Sequence, residues 1–211
     1  MTPNKPAGSS IQTNPHFAET LDGEPEVVIC LDEFGPQNLK PHPGRQWTRR
    51  GRGGPLPRRR RRATFKRPHG VRHLLAAYDL SRDKLHGHVK ARKRRGELLT
   101  FLRYVRSLYP PGVRLAIVLG NASAHLSTKR DTPVGAWAAG NNVELASTPT
   151  NASYLNRIEG HFAALRYFTL DGTDHASHGE QASMIGRYIA WRNRHAHDQR
   201  LREIVNRANV A

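Results

Sequence analysis

The chain has 211 residues, enough for one ordinary domain, and 34 Lys and Arg against 17 Asp and Glu give it a formal charge of +17. A charge of that size favours a polyanionic partner, because neutralising phosphates releases condensed counterions; nucleic acid leads and an anionic membrane surface comes second. No apolar run approaches the roughly 18 residues a membrane-spanning helix needs, Met1 to Thr20 lack the apolar stretch of a secretory signal, and a single cysteine, Cys30, excludes a disulfide framework or a four-cysteine zinc site.

In chain order, residues 1–25 show no periodicity and read as a flexible polar lead-in. Glu26 to Leu31 is a short β-branched apolar run between Pro25 and the Asp32-Glu33 pair, suited to a central strand with Cys30 buried as a small hydrophobe. From about residue 40 to 72 the chain is basic and rich in Pro and Gly. It contains Arg49, Arg50, Arg52, Arg58, Arg59, Arg60, Arg61, Arg62, Lys66 and Arg67. So dense a block of like charge belongs on an exposed loop or hairpin, where it would bind phosphates without reading sequence.

His73 to Leu80 and Leu85 to Val89 read as two strands joined by the polar turn Ser81 to Lys84. Glu97 to Tyr109 carries Leu98, Phe101, Leu102 and Val105 at helical spacing and stops at Pro110-Pro111. Val113 to Leu119 is a buried strand, Pro133 to Ala139 a short helix and Val143 to Ala146 a short strand. Asn156 to Phe168 reads as a helix with Ile158, Phe162, Leu165 and Tyr167 on its apolar face, and Glu180 to His195 as a last helix with Ile185, Tyr188, Ile189 and Trp191. Strands followed by alternating strands and helices predict an α/β fold with a mixed central sheet flanked by helices.

Three loops fall at or beyond the carboxyl ends of predicted elements, where open α/β sheets usually place their sites: Leu31 to Pro36, Val118 to His125, and Thr148 to Glu159. Acids gathered there from separate elements have the chemistry to hold Mg²⁺, which keeps several waters and needs few carboxylates.

Four motifs occur together and in order: the strand ending Leu31-Asp32-Glu33, the Trp47-Thr48-Arg49-Arg50-Gly51 element, the Asn121-Ala122-Ser123-Ala124-His125 loop, and Leu155-Asn156-Arg157-Ile158-Glu159. Together they resemble the mariner-related bacterial insertion-sequence transposases of the DDE superfamily, over about Val27 to Arg194. The resemblance implies an RNase H-like catalytic domain spanning residues 26–198 with the basic insertion inside it, followed by a tail, 199–211. It implies metal-dependent phosphodiester cleavage and strand transfer, with Mg²⁺ or Mn²⁺ as cofactor. Transposon ends and target DNA would be partners, with a homo-oligomer or an intact transposase as possible company, in the bacterial cytoplasm at the nucleoid. Asp32 and Glu159 correspond to the first and third metal-binding acids, and Asn121, His125 and Asn156 to candidate substrate contacts. The second acid of the family directly precedes the Asn-Ala-Ser-x-His loop, and here that position is Gly120. Glycine offers no ligand, so the resemblance implies weak or absent activity, since ligands acting as a unit are not additive. The helix-turn-helix segments that precede the catalytic domain in the family have no counterpart before Val27.

Simpler readings stand beside these. The competing function is a non-catalytic, basic DNA-binding remnant; an RNA binder is weaker, since aromatics are 7% of the chain and none cluster among the arginines. Asp131 is too far along the loop to replace the missing acid, and Glu33 should face the other side of the sheet from Asp32. His86, His88, His161, His175, His178, His195 and His197 read as exposed basic residues, Trp137 and Trp191 as core. Trp47 either stacks on a base or anchors the basic hairpin.

Overall fold

A computed structural model describes residues 25–42, 69–120, 133–148, 156–196, 198–200 and 203. Strand β1 (Val27–Asn38) is followed by β2 (Val71–Asp79), β3 (Lys84–Lys90), helix α1 (Arg95–Ser107), β4 (Leu115–Leu119), α2 (Pro133–Ala139), β5 (Val143–Ser147), α3 (Glu159–Thr169) and α4 (His178–Arg194). The five strands form one sheet in the order β3-β2-β1-β4-β5. β2 is antiparallel to both β1 and β3, whereas β4 runs parallel to β1 and to β5. The mixed sheet expected from the element order is therefore present.

Its two faces are covered by different helices. On one side Leu98, Phe101, Leu102 and Val105 of α1, with Val134 and Ala138 of α2, pack on Ile29, Leu31, Leu75, Ala77, Ile117 and Leu145. On the other, Ile158, Phe162 and Leu165 beside and within α3, with Ile185 and Tyr188 of α4, pack on Cys30, Leu74, Ala76 and Leu85. Strand alternation sorts these sets: Ile29 and Leu31 serve one cluster while Cys30 serves the other. Cys30 is buried, as its apolar surroundings predict.

The local causes are ordinary. α1 carries Glu97 in its first turn and an i, i+3, i+4, i+7 apolar stripe, and the Pro110-Pro111 pair beyond it cannot continue a helix. α4 starts at Ser177, whose hydroxyl accepts the Glu180 N–H at 3.1 Å, while the Glu180 carboxylate accepts the Ala176 N–H at 2.7 Å. Gly87 of β3 lets α4 approach closely: a Cβ there would stand 2.9 Å from Ile189 Cδ1 and 2.8 Å from Leu74 Cδ1. Among the described residues no helix is long and apolar enough to cross a membrane.

One boundary differs in a way that matters. The strand expected over Glu26 to Leu31 continues to Asn38, because β2 supplies an antiparallel partner along that length, with a register shift between Phe34 and Gln37. Asp32 is thus within β1, opposite Ala76 of β2, and not at a strand end. The pairing with β4 nevertheless stops at Leu31↔Leu119, so Asp32 lies one residue past the end of the parallel part of the sheet.

Candidate active site

Leu31, Leu119 and Ser147 stand in register across β1, β4 and β5. The next residue of each strand is Asp32, Gly120 and Thr148, and these occupy the carboxyl edge of the parallel segment side by side. Backbone bonds hold the row: the Gly120 N–H donates to Leu31 O at 3.3 Å and the Thr148 N–H to Leu119 O at 3.0 Å. The chain returns to the same edge at Asn156. Its Nδ2 donates to Leu31 O at 3.0 Å and to Asp32 Oδ2 at 3.2 Å. The Glu159 N–H then bonds Asn156 O at 3.0 Å as α3 begins.

Asp32 is oriented from two sides, since its Oδ1 also accepts the Glu33 N–H at 2.8 Å. Glu33 projects to the opposite face, where its largely buried carboxylate pairs with Lys93 at 3.1 Å. The alternation expected for this pair of acids is what the strand displays. Glu159 is half-buried, and burial, followed by the negative charge of Asp32, raises its proton affinity above that of an ordinary glutamate. Two acids far apart in sequence are thereby brought within electrostatic reach at one sheet edge.

Gly120 contributes space. A Cβ on it would stand 2.6 Å from Asp32 Cγ and Oδ1 and nearer still to Oδ2, so the Asp32 carboxylate lies directly against the glycine backbone. A side chain at position 120 requires the Asp32 carboxylate, the rotatable end of its side chain, to shift. The acid implied for this position by the family resemblance would compete with Asp32 for the same volume.

The donor set suits one hard cation. Two carboxylates that repel each other offer oxygen ligands of the type Mg²⁺ and Mn²⁺ take, with water completing the shell. A pair of cations needs more: among the described residues no group of three or more His, Cys, Asp or Glu could hold a metal ion.

Other expected site residues fall differently. Asn156, expected to contact substrate, is fully buried and supports Asp32 from below. Asn121, His125, Asp131, Trp47, Arg49, Arg50, Arg52, Arg58, Arg59, Arg60, Arg61, Arg62, Lys66 and Arg67 lie outside the described residues.

The histidines expected to be exposed divide into three kinds. His161 is buried against the Tyr78 ring, and burial, aided by the Arg192 charge, pushes its pKa down to about 3. His175 is buried beside Thr169 O at 2.9 Å. His86 and His88 are half-buried around Tyr104, their pKa values lowered by burial, and His178 is half-buried near His69 O. His195, just beyond the end of α4, is the one member of the described group that matches the exposed reading, and His197 is outside the described residues. Trp137 packs against the α1-side core as expected, but Trp191 is 38% exposed and Tyr167 69% exposed, so neither is core.

The sequence profile of the DDE superfamily endonucleases matches residues 27–180, well over half of the chain, and the chain belongs to that family. Solved structures similar to it include a pre-cleavage Mos1 transpososome (TM-score 0.54, 15% identity, 86% of this chain and 56% of that one). The Mos1 mariner paired-end complex with Mn (0.54, 15%, 86% and 55%) and the Mos1 strand transfer complex (0.53, 14%, 86% and 54%) are similar to the same degree. At such identities the likeness concerns the fold, which is RNase H-like: a mixed five-stranded sheet between helices. The chain spans about half the length of the Mos1 chains it matches. No curated protein sequence matches it.

Proposed function

We propose that this chain is the catalytic part of a bacterial insertion-sequence DNA transposase, with Asp32 and Glu159 as its metal-binding acids, and that Gly120 leaves it weak or inactive in strand cleavage. The observation that carries this reading is the meeting of Asp32 and Glu159 at the carboxyl edge of the parallel strands, with Gly120 flush against Asp32. Residues 26–198 would form the catalytic unit, and the arginines between 40 and 72 would hold the DNA backbone. Transposon ends and target DNA would be its substrates, at the nucleoid, alone or assembled with a second copy or an intact transposase.

The chain's own residues set the conditions. The Glu33 N–H and Asn156 amide aim Asp32 upward, and α3 presents Glu159 toward it. Because Glu159 holds its proton more tightly than usual, cation binding strengthens as pH rises and the carboxyl ionises. A Mg²⁺ or Mn²⁺ held by the two acids would stabilise charge on the oxygens of a phosphodiester under attack. With no ligand at position 120, the second cation of a two-metal site is left without its anchor.

The test is nicking of supercoiled plasmid in Mg²⁺ or Mn²⁺ by this chain and by its Gly120→Asp variant. We expect the unsubstituted chain to nick at background rate and the variant to cut measurably. Equal, strong cutting by both would show that another residue supplies the second acid. A second reading, a basic DNA-binding remnant without chemistry, is favoured by the close approach of Asp32 to Gly120, which leaves no room for a third acid unless Asp32 moves. On that reading neither protein cuts, while both bind duplex DNA in a salt-dependent way.

A further inference from the structure

The three large hydrophobic side chains exposed among the described residues are all aromatic and all in one place: Tyr167 (69%), Phe168 (44%) and Trp191 (38%). They form a continuous array across the end of α3 and the second half of α4. Phe168 stacks on Tyr188 with ring centroids 5.6 Å apart and lies 6.1 Å from Trp191; Trp191 continues to His195 at 4.6 Å, and Tyr167 meets Phe168 edge-on at 5.1 Å. Leaving such rings in water forgoes burial worth keeping, so a patch of them in one array marks a contact surface.

The surroundings indicate what it contacts. On a helix the neighbours of a residue lie three and four positions away. For Trp191 these are Arg187, Tyr188, Arg194 and His195: two exposed cations and two rings. Arg166 is nearby on α3 but is engaged with Asp171 at 3.4 Å. Protein interfaces are also enriched in aromatic residues and Arg. The two exposed arginines beside these rings and the chain's formal charge of +17 favour a polyanionic partner instead. Contrary to the expectation that no aromatics cluster among the arginines, rings and the exposed Arg187 and Arg194 share this stretch of α4. That composition can receive unpaired bases, each base stacking on a ring while the cations meet the phosphates. Tyr167 is eight residues beyond Glu159 on α3, about 12 Å along the helix axis.

We infer that the Tyr167–Phe168–Trp191 array, flanked by Arg187 and Arg194, is a stacking surface for unpaired bases of a single-stranded stretch of nucleic acid. The inference rests on the reading of the chain as a DNA-processing domain and adds a surface to it, separate from the arginine-rich segment. It holds without regard to base sequence, because every base has a face to stack.

The experiment compares binding of a dye-labelled oligothymidylate and of a duplex of equal length by fluorescence anisotropy, using the full chain. Trp191→Ala should weaken oligothymidylate binding roughly tenfold and leave duplex binding unchanged, with Trp191→Phe retaining most of the affinity. Should Trp191→Ala fail to fold, as judged by its melting curve, the more exposed Tyr167→Ala takes its place and should show a smaller loss of the same kind. Unchanged oligothymidylate binding by the folded variants overturns the inference. So does a dimer, seen in sedimentation equilibrium, that Trp191→Ala dissociates without altering oligothymidylate binding, since a second copy would then be what covers the rings. If the unsubstituted chain binds neither DNA form, the DNA-processing reading falls as well; intact duplex binding without a ring effect defeats this inference alone.

Discussion

The two faces of the sheet are built on different physics. Against α1 and α2 the contacts are mainly apolar, with Leu98, Phe101, Leu102 and Val105 fully buried. Charged groups are also buried there. Asp79 is met by the Tyr109 hydroxyl and by the Ser81 and Arg82 N–H groups at 2.8 and 3.0 Å. Glu33, its carboxylate largely buried, pairs with Lys93, and Arg106 of α1 donates to Val113 O at 2.8 Å and to Pro110 O. The α3 and α4 side mixes its apolar cluster with buried Arg192, Asp83, His161, His175, Gln181 and Asn156. Arg192 pairs with Asp83 in the turn before β3, Tyr78 donates to Asp83 at 2.9 Å, and His161 of α3 lies on the Tyr78 ring. Apolar burial is non-directional and tolerates sliding, whereas a buried ion pair fixes position. The face that carries Glu159 and must hold it in relation to Asp32 is the one with the larger share of buried polar groups.

Breaking the Arg192–Asp83 pair is the sharpest way to test the contrast. Arg192→Ala leaves Asp83 buried without its guanidinium, and we expect a loss of about 3–5 kcal/mol in urea unfolding. A loss below about 1 kcal/mol, the scale of an exposed pair, would mean that the two faces do not differ in this respect.

The next effect is a pH dependence. His161 is pushed down to about 3, from an ordinary 6.5, by burial and then by Arg192. Between those values the unfolded chain takes up a proton that the folded chain refuses, so the contribution is fully present above about 6.5 and is lost as pH falls toward 3. His161→Leu should flatten the fall in urea midpoint between neutral and mildly acid pH. An unchanged slope would place the acid sensitivity elsewhere.

The smallest effect concerns the site. Glu159 has the opposite sign of shift, raised by burial and by Asp32. The folded chain binds that proton more tightly than the unfolded chain, so stability is lost as pH rises through the range just above the ordinary glutamate value. Glu159→Gln removes this penalty and should melt slightly higher at neutral pH, while losing any upward shift on addition of Mg²⁺. A lower melting temperature in metal-free buffer would contradict the electrostatic contact with Asp32.

Much of the contrast was legible in the chain. The apolar stripe Leu98, Phe101, Leu102, Val105 announces α1 and its buried side. His161 could have been placed by the same rule: it falls at i+3 in the stripe Ile158, His161, Phe162, Leu165, and periodicity outranks residue type there. Tyr167, expected on the apolar face of that helix, stands two residues past Leu165 and so off the stripe, and it is exposed. Trp191 does share the helical spacing of Ile185 and Tyr188, and its exposure depends on where α4 ends against α3, which spacing does not report.

By itself the sequence determined the element order and the alternation that separates Asp32 from Glu33, because period and local chemistry act over a few residues; Asp32 and Glu159 were singled out by the family resemblance. Only the tertiary structure decided that β1 runs on past Asp32, that Asn156 is buried beneath it, and that Gly120 is filled by the Asp32 carboxylate. Those facts depend on residues from β1, β4 and the start of α3 meeting at one sheet edge, and no local pattern encodes the distance between chain segments so far apart.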